Sequence, residues 1–244
     1  MADVDIKRDG PVIEIRLNRP AKKNALTSVM YAAIVEGLQA LEDDDGLAVA
    51  VLTAEGADFC AGNDISEFVS TPDAPPAAAS FLDVLPALTK PLVAAVQGRA
   101  VGVGGTILLH CDLVYVGSDL DLRYVFVDLG LAPEAGSTML LPRLVGPVRA
   151  AEAMLLASPI DAAKAVDWGI ANEIVEPALV RDRAMEAAHR LAAKPPEALR
   201  ATKALLRGDA ATLQGTIRDE LKIFRHLLAG PEFAEAAQRF LQRR

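Results

Sequence analysis

Three short apolar runs constrain this chain more than any other feature; they lie within LAVAVLTA (residues 47–54), PLVAAV (91–96) and DLVYVG (112–117). A run that is apolar at every position buries both of its faces, as a parallel strand between helices does. The intervening segments carry the helical period. Leu26, Met30, Ile34, Leu38 and Leu41 recur at helical spacing, with Thr27 or Ser28 as the cap. PVIEIRLNRP alternates and reads as a strand ended by a turn. Residues 66–86 are rich in Pro, Ala and Ser and read as a helix with a variable loop. KPLVAAVQGRAVGVGGTILLHCDLVYVG reads as strand, glycine-rich turn, buried helix and strand, and Asp119–Phe126 as one more strand. TMLLPRLV and RAAEAMLLA then read as helices, and DAAKAVDWGIANEIV as a helix, a glycine cap and a short strand. From Ala178 onward the chain is helical, broken at Lys194–Pro196 and Ala229–Pro231. This order predicts an α/β core over residues 1–190, built of loosely repeated units in a stacked spiral. A helical region over residues 191–244 follows.

The formal charge of −8 disfavours nucleic acid and anionic membrane surfaces as partners. Polyanionic small molecules stay open, because backbone N–H groups and a few lysines can hold phosphates. Two cysteines, Cys60 and Cys111, lie in no CxxC pair, and the opening MADVDIKRDG has no apolar signal region. A cytoplasmic protein is the expectation. The three histidines stand far apart in no metal-ligand spacing, so no metal site is expected.

Two glycine-containing loops stand at helix starts. CAGND (60–64) follows a strand and opens a helix near Asp64, which is also a natural helix cap. GRAVGVGGT (98–106) matches neither a Rossmann fingerprint nor a P-loop, and its glycines also suit close packing. Together the loops can aim two backbone N–H groups at one carbonyl oxygen, which is an oxyanion hole. In GLAPEAGS (130–137) Glu134 follows Pro133. The pair reads as the first turn of a helix, or Glu134 as a catalytic base. No GxSxG elbow occurs, and no histidine lies close in sequence to Ser137. His110 reads as a satisfied buried histidine, Trp168 as packing at a helix end, Arg143 as a local pairing residue, and Lys203 and Lys222 as solvated.

The order of LNRPAKKNAL, VLTAEGADFCAGNDI, KPLVAAVQGRAVGVGGT, CDLVYVG, LGLAPEAGSTMLLPRLVG and DAAKAVDWGIANEIV resembles the crotonase, or enoyl-CoA hydratase/isomerase, family over nearly the whole chain. The resemblance implies a spiral of ββα turns, C-terminal helices that build a homotrimer or hexamer, and a coenzyme A thioester as ligand. It implies no separate cofactor. It places the oxyanion donors at the N–H groups of Asn63 and Val103. Lys22, Lys23, Ala25, Ala61 and Asp64 match the regions that hold the adenine and pantetheine, and Gly62, Ile65, Gly102 and Gly104 belong to the same loops.

Hydratases of the family use two glutamates. Their positions are Thr106 and Phe126 here, and neither side chain can serve as acid or base for water addition. The GLxPEGGS-like stretch and CAGND resemble instead the Δ3,Δ2-enoyl-CoA isomerase branch, in which one acidic residue, here Glu134, shuttles the proton. The alternatives are a weak hydratase, a thioester hydrolase with Glu134 activating water, and a non-catalytic acyl-CoA-binding protein.

Overall fold

The computed structural model describes residues 2–70 and 76–242. The chain opens with an antiparallel pair, β1 (Val4–Asp9) and β2 (Val12–Leu17). Helix α1 (Ser28–Asp43) is capped by Thr27, whose side chain accepts from the Met30 N–H. Next come β3 (Val49–Ala54), α2 (Ile65–Ser70), α3 (Pro76–Ala87), β4 (Leu92–Val96), β5 (Arg99–Val101) and the short α4 (Val103–Thr106). Strands β6 (Leu113–Gly117) and β7 (Asp121–Arg123) lead to α5 (Ser137–Val145), α6 (Pro147–Leu155), α7 (Ala162–Asp167) and β8 (Glu173–Val175). Helices α8 (Val180–Ala192), α9 (Pro196–Arg207), α10 (Ala210–Leu228) and α11 (Pro231–Gln242) complete it. Part of the loop expected between residues 66 and 86 lies outside the described residues.

The main sheet runs β1-β2-β3-β4-β6-β8, parallel from β2 onward, and β5 pairs with β7 in a second, two-stranded layer. Alternate residues of the apolar strands enter two different cores. Ala50, Leu52, Leu92, Ala94 and Val96 face the core that also takes α1 and α3. Val49, Val51, Val93 and Ala95 face α8 through Val180, Ala184, Ala187 and Ala188. Both faces are covered, which is why these runs carry no polar alternation.

Two strands escape the sequence reading. In β1 only Val4 is buried, and its charged remainder is the solvated edge of the sheet. Strand β5 is three residues long, too short for a period to show, and sits beside a bridge between Cys60 and Ala100. A third helix break, at Gly208 with φ of 71°, separates α9 from α10.

Lys203 corrects another expectation. It is 5% exposed rather than solvated, and its Nζ donates to the Lys90 carbonyl at 2.5 Å and to Asp112 Oδ2 at 2.7 Å. Burial, reinforced by Arg207, lowers its pKa against the pull of Asp112. The two residues it binds lie 113 and 91 positions upstream, so helical spacing alone made it look like a surface lysine. Lys222 is exposed and paired with Asp219, while Arg143 is exposed and makes no ion pair among the described residues. Trp168 ends α7 under the Arg149 guanidinium.

The last two helices return to the core. Helix α10 packs on α3 and α5, and α11 on α2. Among the described residues no helix is long and apolar enough to cross a membrane, and no cluster of potential metal ligands occurs.

Candidate active site

Backbone geometry, rather than side chains, makes the first part of the site. Leu26 N–H donates to the Gly62 carbonyl and Asp64 N–H to the Leu26 carbonyl, both at 2.8 Å. The N–H of Asn63, between those two bonds, is therefore turned to the other side of the strand. Gly62 makes this possible with φ of 94°, and a Cβ there would stand 3.2 Å from the Val101 carbonyl oxygen. Val103 is the first residue of α4. The Gly102 carbonyl accepts from Gly105 and Thr106, which leaves the Val103 N–H as a free first-turn donor.

Asn63 and Val103 line one cavity of about 520 Å³, with Ala25, Ala61, Gly62, Ile65 and Gly102 beside them. Phe126, Phe224 and Phe233 give it apolar walls. The Asn63 side chain is fixed separately, since its Oδ1 accepts from the Tyr31 hydroxyl at 2.6 Å.

Four residues expected at the ligand do not line the cavity. Lys22 and Lys23 are exposed beside it. Asp64 is buried and accepts from Arg19 at 2.8 Å and from the Ser66 hydroxyl and N–H. Burial alone would raise its carboxyl, but the Ser66 and Arg19 hydrogen bonds outweigh that and hold it low. It is a helix cap that ties the loop of Arg19 to α2. Gly104 packs against Cys60, where a Cβ would meet the Cys60 Cβ and carbonyl oxygen at 2.8 Å. Its glycine serves the contact between α4 and the CAGND loop.

Glu134 is not in a helix. Helix α5 begins at Ser137, after Gly136, and both Ala135 (φ 61°) and Gly136 (φ 69°) are left-handed. Sequence reading made Pro133 the first helical residue. The chain instead makes a left-handed turn after Glu134, which lifts the carboxylate away from the helix end. An alanine in that conformation costs about 1–2 kcal/mol, so tertiary contacts must hold the turn. Two do. His110 Nε2 stands 2.7 Å from the Ala135 carbonyl oxygen, and Glu220 of α10 binds the backbone on the far side of the turn. Burial pushes the His110 pKa down to about 4, so the ring is neutral and donates from Nε2.

The Glu134 side chain is 6% exposed and reaches a hollow of about 30 Å³ that shares Asn63 and Phe224 with the large cavity. Thr106 Oγ1 donates to its Oε1 at 2.5 Å. Burial pushes the Glu134 pKa up to about 7; the Thr106 hydrogen bond restrains this rise, and the negative charge of Glu220 adds to it. A carboxylate poised near neutrality can take a proton and give it back. Phe126, at the second hydratase position, is buried in the cavity wall and has no proton to move. With Asn63 and Val103 lining the adjoining cavity, the arrangement suits chemistry that builds charge on a carbonyl oxygen while one carboxyl moves a proton.

Tyr31 and Glu220 are the site residues that sequence reasoning missed. Tyr31 lies on the buried face of α1, where it reads as core. Glu220 sits on an amphipathic C-terminal helix, where a carboxylate reads as solvated, although it is 6% exposed. The polar tip on an apolar face was the available signal for Tyr31; nothing local marked Glu220.

Comparison with known proteins gives the chain its family. The model of the enoyl-CoA hydratase/isomerase family matches residues 7–244. The 2,3-dehydroadipyl-CoA hydratase of Escherichia coli K12 is 32% identical, over 100% of this chain and 97% of that protein. The 1,2-epoxyphenylacetyl-CoA isomerase of the same organism is 30% identical, over 96% and 93%. The structure of Pseudomonas aeruginosa OdaA superposes with a TM-score of 0.95 at 37% identity, covering 99% of both chains. A spiral with this strand order, two free N–H donors on one cavity and a family match over nearly the whole length lead to one conclusion: the chain is an enzyme of the enoyl-CoA hydratase/isomerase, or crotonase, family.

Proposed function

We propose that this enzyme is an acyl-CoA double-bond isomerase that moves a 3-enoyl thioester double bond to the 2-position. One observation carries the reading: Glu134 is the buried carboxylate at the hollow beside Asn63, while both hydratase positions hold side chains without a usable proton, Thr106 and Phe126. Its relatives include a named hydratase and a named isomerase, so the choice rests on the acidic groups.

In the proposed reaction the thioester oxygen accepts from the N–H groups of Asn63 and Val103. The Glu134 carboxylate removes a proton from C2, and negative charge spreads over the dienolate onto that oxygen. The same carboxyl, now protonated, delivers the proton to C4. One group on one face of a planar dienolate suffices, and no cofactor is called for. The Thr106 hydroxyl occupies Oε1, leaving Oε2 for the substrate.

A panel of 3-enoyl, 2-enoyl and saturated CoA thioesters tests this by product mass. Isomerisation leaves the mass unchanged and is expected for 3-enoyl substrates. Addition of water to 2-enoyl thioesters, or release of free CoA, as the main reaction would replace this reading with hydratase or hydrolase.

The enzyme is also proposed to self-associate as a trimer or hexamer. Val148, Leu155 and Leu156 on and just after α6, with Leu205 and Leu206 on α9, stand in solvent on a single chain. Light scattering is expected to give a mass of three or six chains, and a monomer at micromolar concentration would refute it.

A further inference from the structure

Glu220 has no place in the reaction as written, yet it is a buried carboxylate close to the base. It comes from the middle of α10, 86 residues beyond Glu134, and is 6% exposed. Its Oε2 accepts from the Gly136 N–H at 2.6 Å. Its Oε1 accepts from the Thr138 N–H at 2.9 Å and the Thr138 hydroxyl at 2.6 Å. Three donors converge on its two oxygens and favour its ionised form, against burial, which pushes its carboxyl above the ordinary carboxylate range. The donors belong to the turn after Glu134 and the first turn of α5, the backbone whose left-handed residues need an external hold.

We propose that Glu220 is a positioning residue for Glu134: it clamps the turn that aims the base, and its buried charge adds to the burial that keeps the base protonated. The idea rests on Glu134 being the base. The other titratable groups facing Glu134 are neutral. Burial raises the Cys60 thiol to about 12 and the Tyr31 phenol well above its ordinary value. His110, on the carbonyl of Ala135, is neutral as well. Glu67 acts on Tyr31, and Asp219 and Lys222, near Glu220 on α10, are exposed and paired with each other. Thr106 opposes Glu220, since its hydrogen bond favours the ionised base and the charge of Glu220 disfavours it.

The test compares wild type, Glu220→Gln and Thr106→Val. Carbon-13 NMR of protein labelled at the glutamate carboxyls follows the Glu134 resonance, assigned by its loss in Glu134→Gln. Removing a neighbouring negative charge makes ionisation easier. In Glu220→Gln the Glu134 midpoint is therefore expected to fall by about half a pH unit or more, with the acid limb of kcat/KM moving the same way. In Thr106→Val it rises by a similar amount. Loosening the turn is expected to lower kcat by about tenfold in Glu220→Gln with little change in KM.

A residue that only stabilised the fold would lower the melting temperature and leave the midpoint in place. An unmoved or raised midpoint in Glu220→Gln, or an unchanged kcat, overturns the proposal. If that variant does not fold, Thr138→Val removes one of the three donors; kcat is expected to fall about threefold, and an unchanged kcat overturns the clamp. A wild type that isomerises no 3-enoyl thioester sinks the isomerase reading alone, because the NMR midpoints still decide the role of Glu220.

Discussion

Glutamine in place of Glu134 is expected to lower kcat for isomerisation by about a thousandfold and to change the Kd of a CoA thioester by less than about threefold. The substitution is isosteric. Its side-chain oxygen can still accept from Thr106, and the donors at Asn63 and Val103 are untouched. Only the proton carrier goes. Steady-state kinetics and calorimetry with a non-reactive thioester measure the two quantities, and turnover near wild type would remove Glu134 from the mechanism.

The same variant carries a stability prediction of opposite sign. The folded pKa of Glu134, about 7, lies above its ordinary 4.5. The stability this group contributes is complete below about pH 4.5 and is lost as pH rises through 7, because the buried group must then ionise. A neutral glutamine escapes that loss. The variant should therefore be more stable than wild type at pH 8, by up to about 3 kcal/mol, and the gap should close towards pH 5. Denaturant titrations at the two values check it. A site that is more stable without its functional group is one in which activity has been kept at the expense of stability.

The second large effect is expected at Gly62. An alanine there must hold φ of 94° with its Cβ 3.2 Å from the Val101 carbonyl oxygen. The loop will rotate, and the Asn63 N–H with it. Removing one oxyanion donor typically costs about a hundredfold in kcat, and the strained backbone about 1–2 kcal/mol in stability. Gly62→Ala is therefore expected to lose kcat far more than thioester affinity. A variant with kcat within twofold of wild type would show that this N–H does not hold the oxygen.

What could be read from the sequence divides along physical lines. The strands buried on both faces and the α1 stripe declare themselves because burial imposes a period that local composition records. The two glycine-containing loops show in the sequence as helix starts with open donors, but it took the family resemblance to single out Asn63 and Val103. Glu134 stands out in the sequence as a carboxylate, but the helix start expected there is not what the chain makes. Pro-Glu before small residues fits a helix start, and contacts from His110 and Glu220 hold the left-handed turn instead. Lys203, Asp64 and Glu220 share the same obstacle. Each takes its meaning from a partner dozens of residues away, and no window of sequence contains both halves.

The return of α10 and α11 to the cavity also sets an order of events during synthesis. All eight strands are encoded before residue 176, so the sheet can form while the last quarter of the chain is still being made. Phe224, Phe233 and Glu220 arrive later, and with them two walls of the cavity and the clamp on the turn of Glu134. A nascent chain can thus be folded in its sheet and still lack the contacts that hold the turn of Glu134, the proposed base. On the proposed mechanism, competence waits until α10 and α11 have docked on the core.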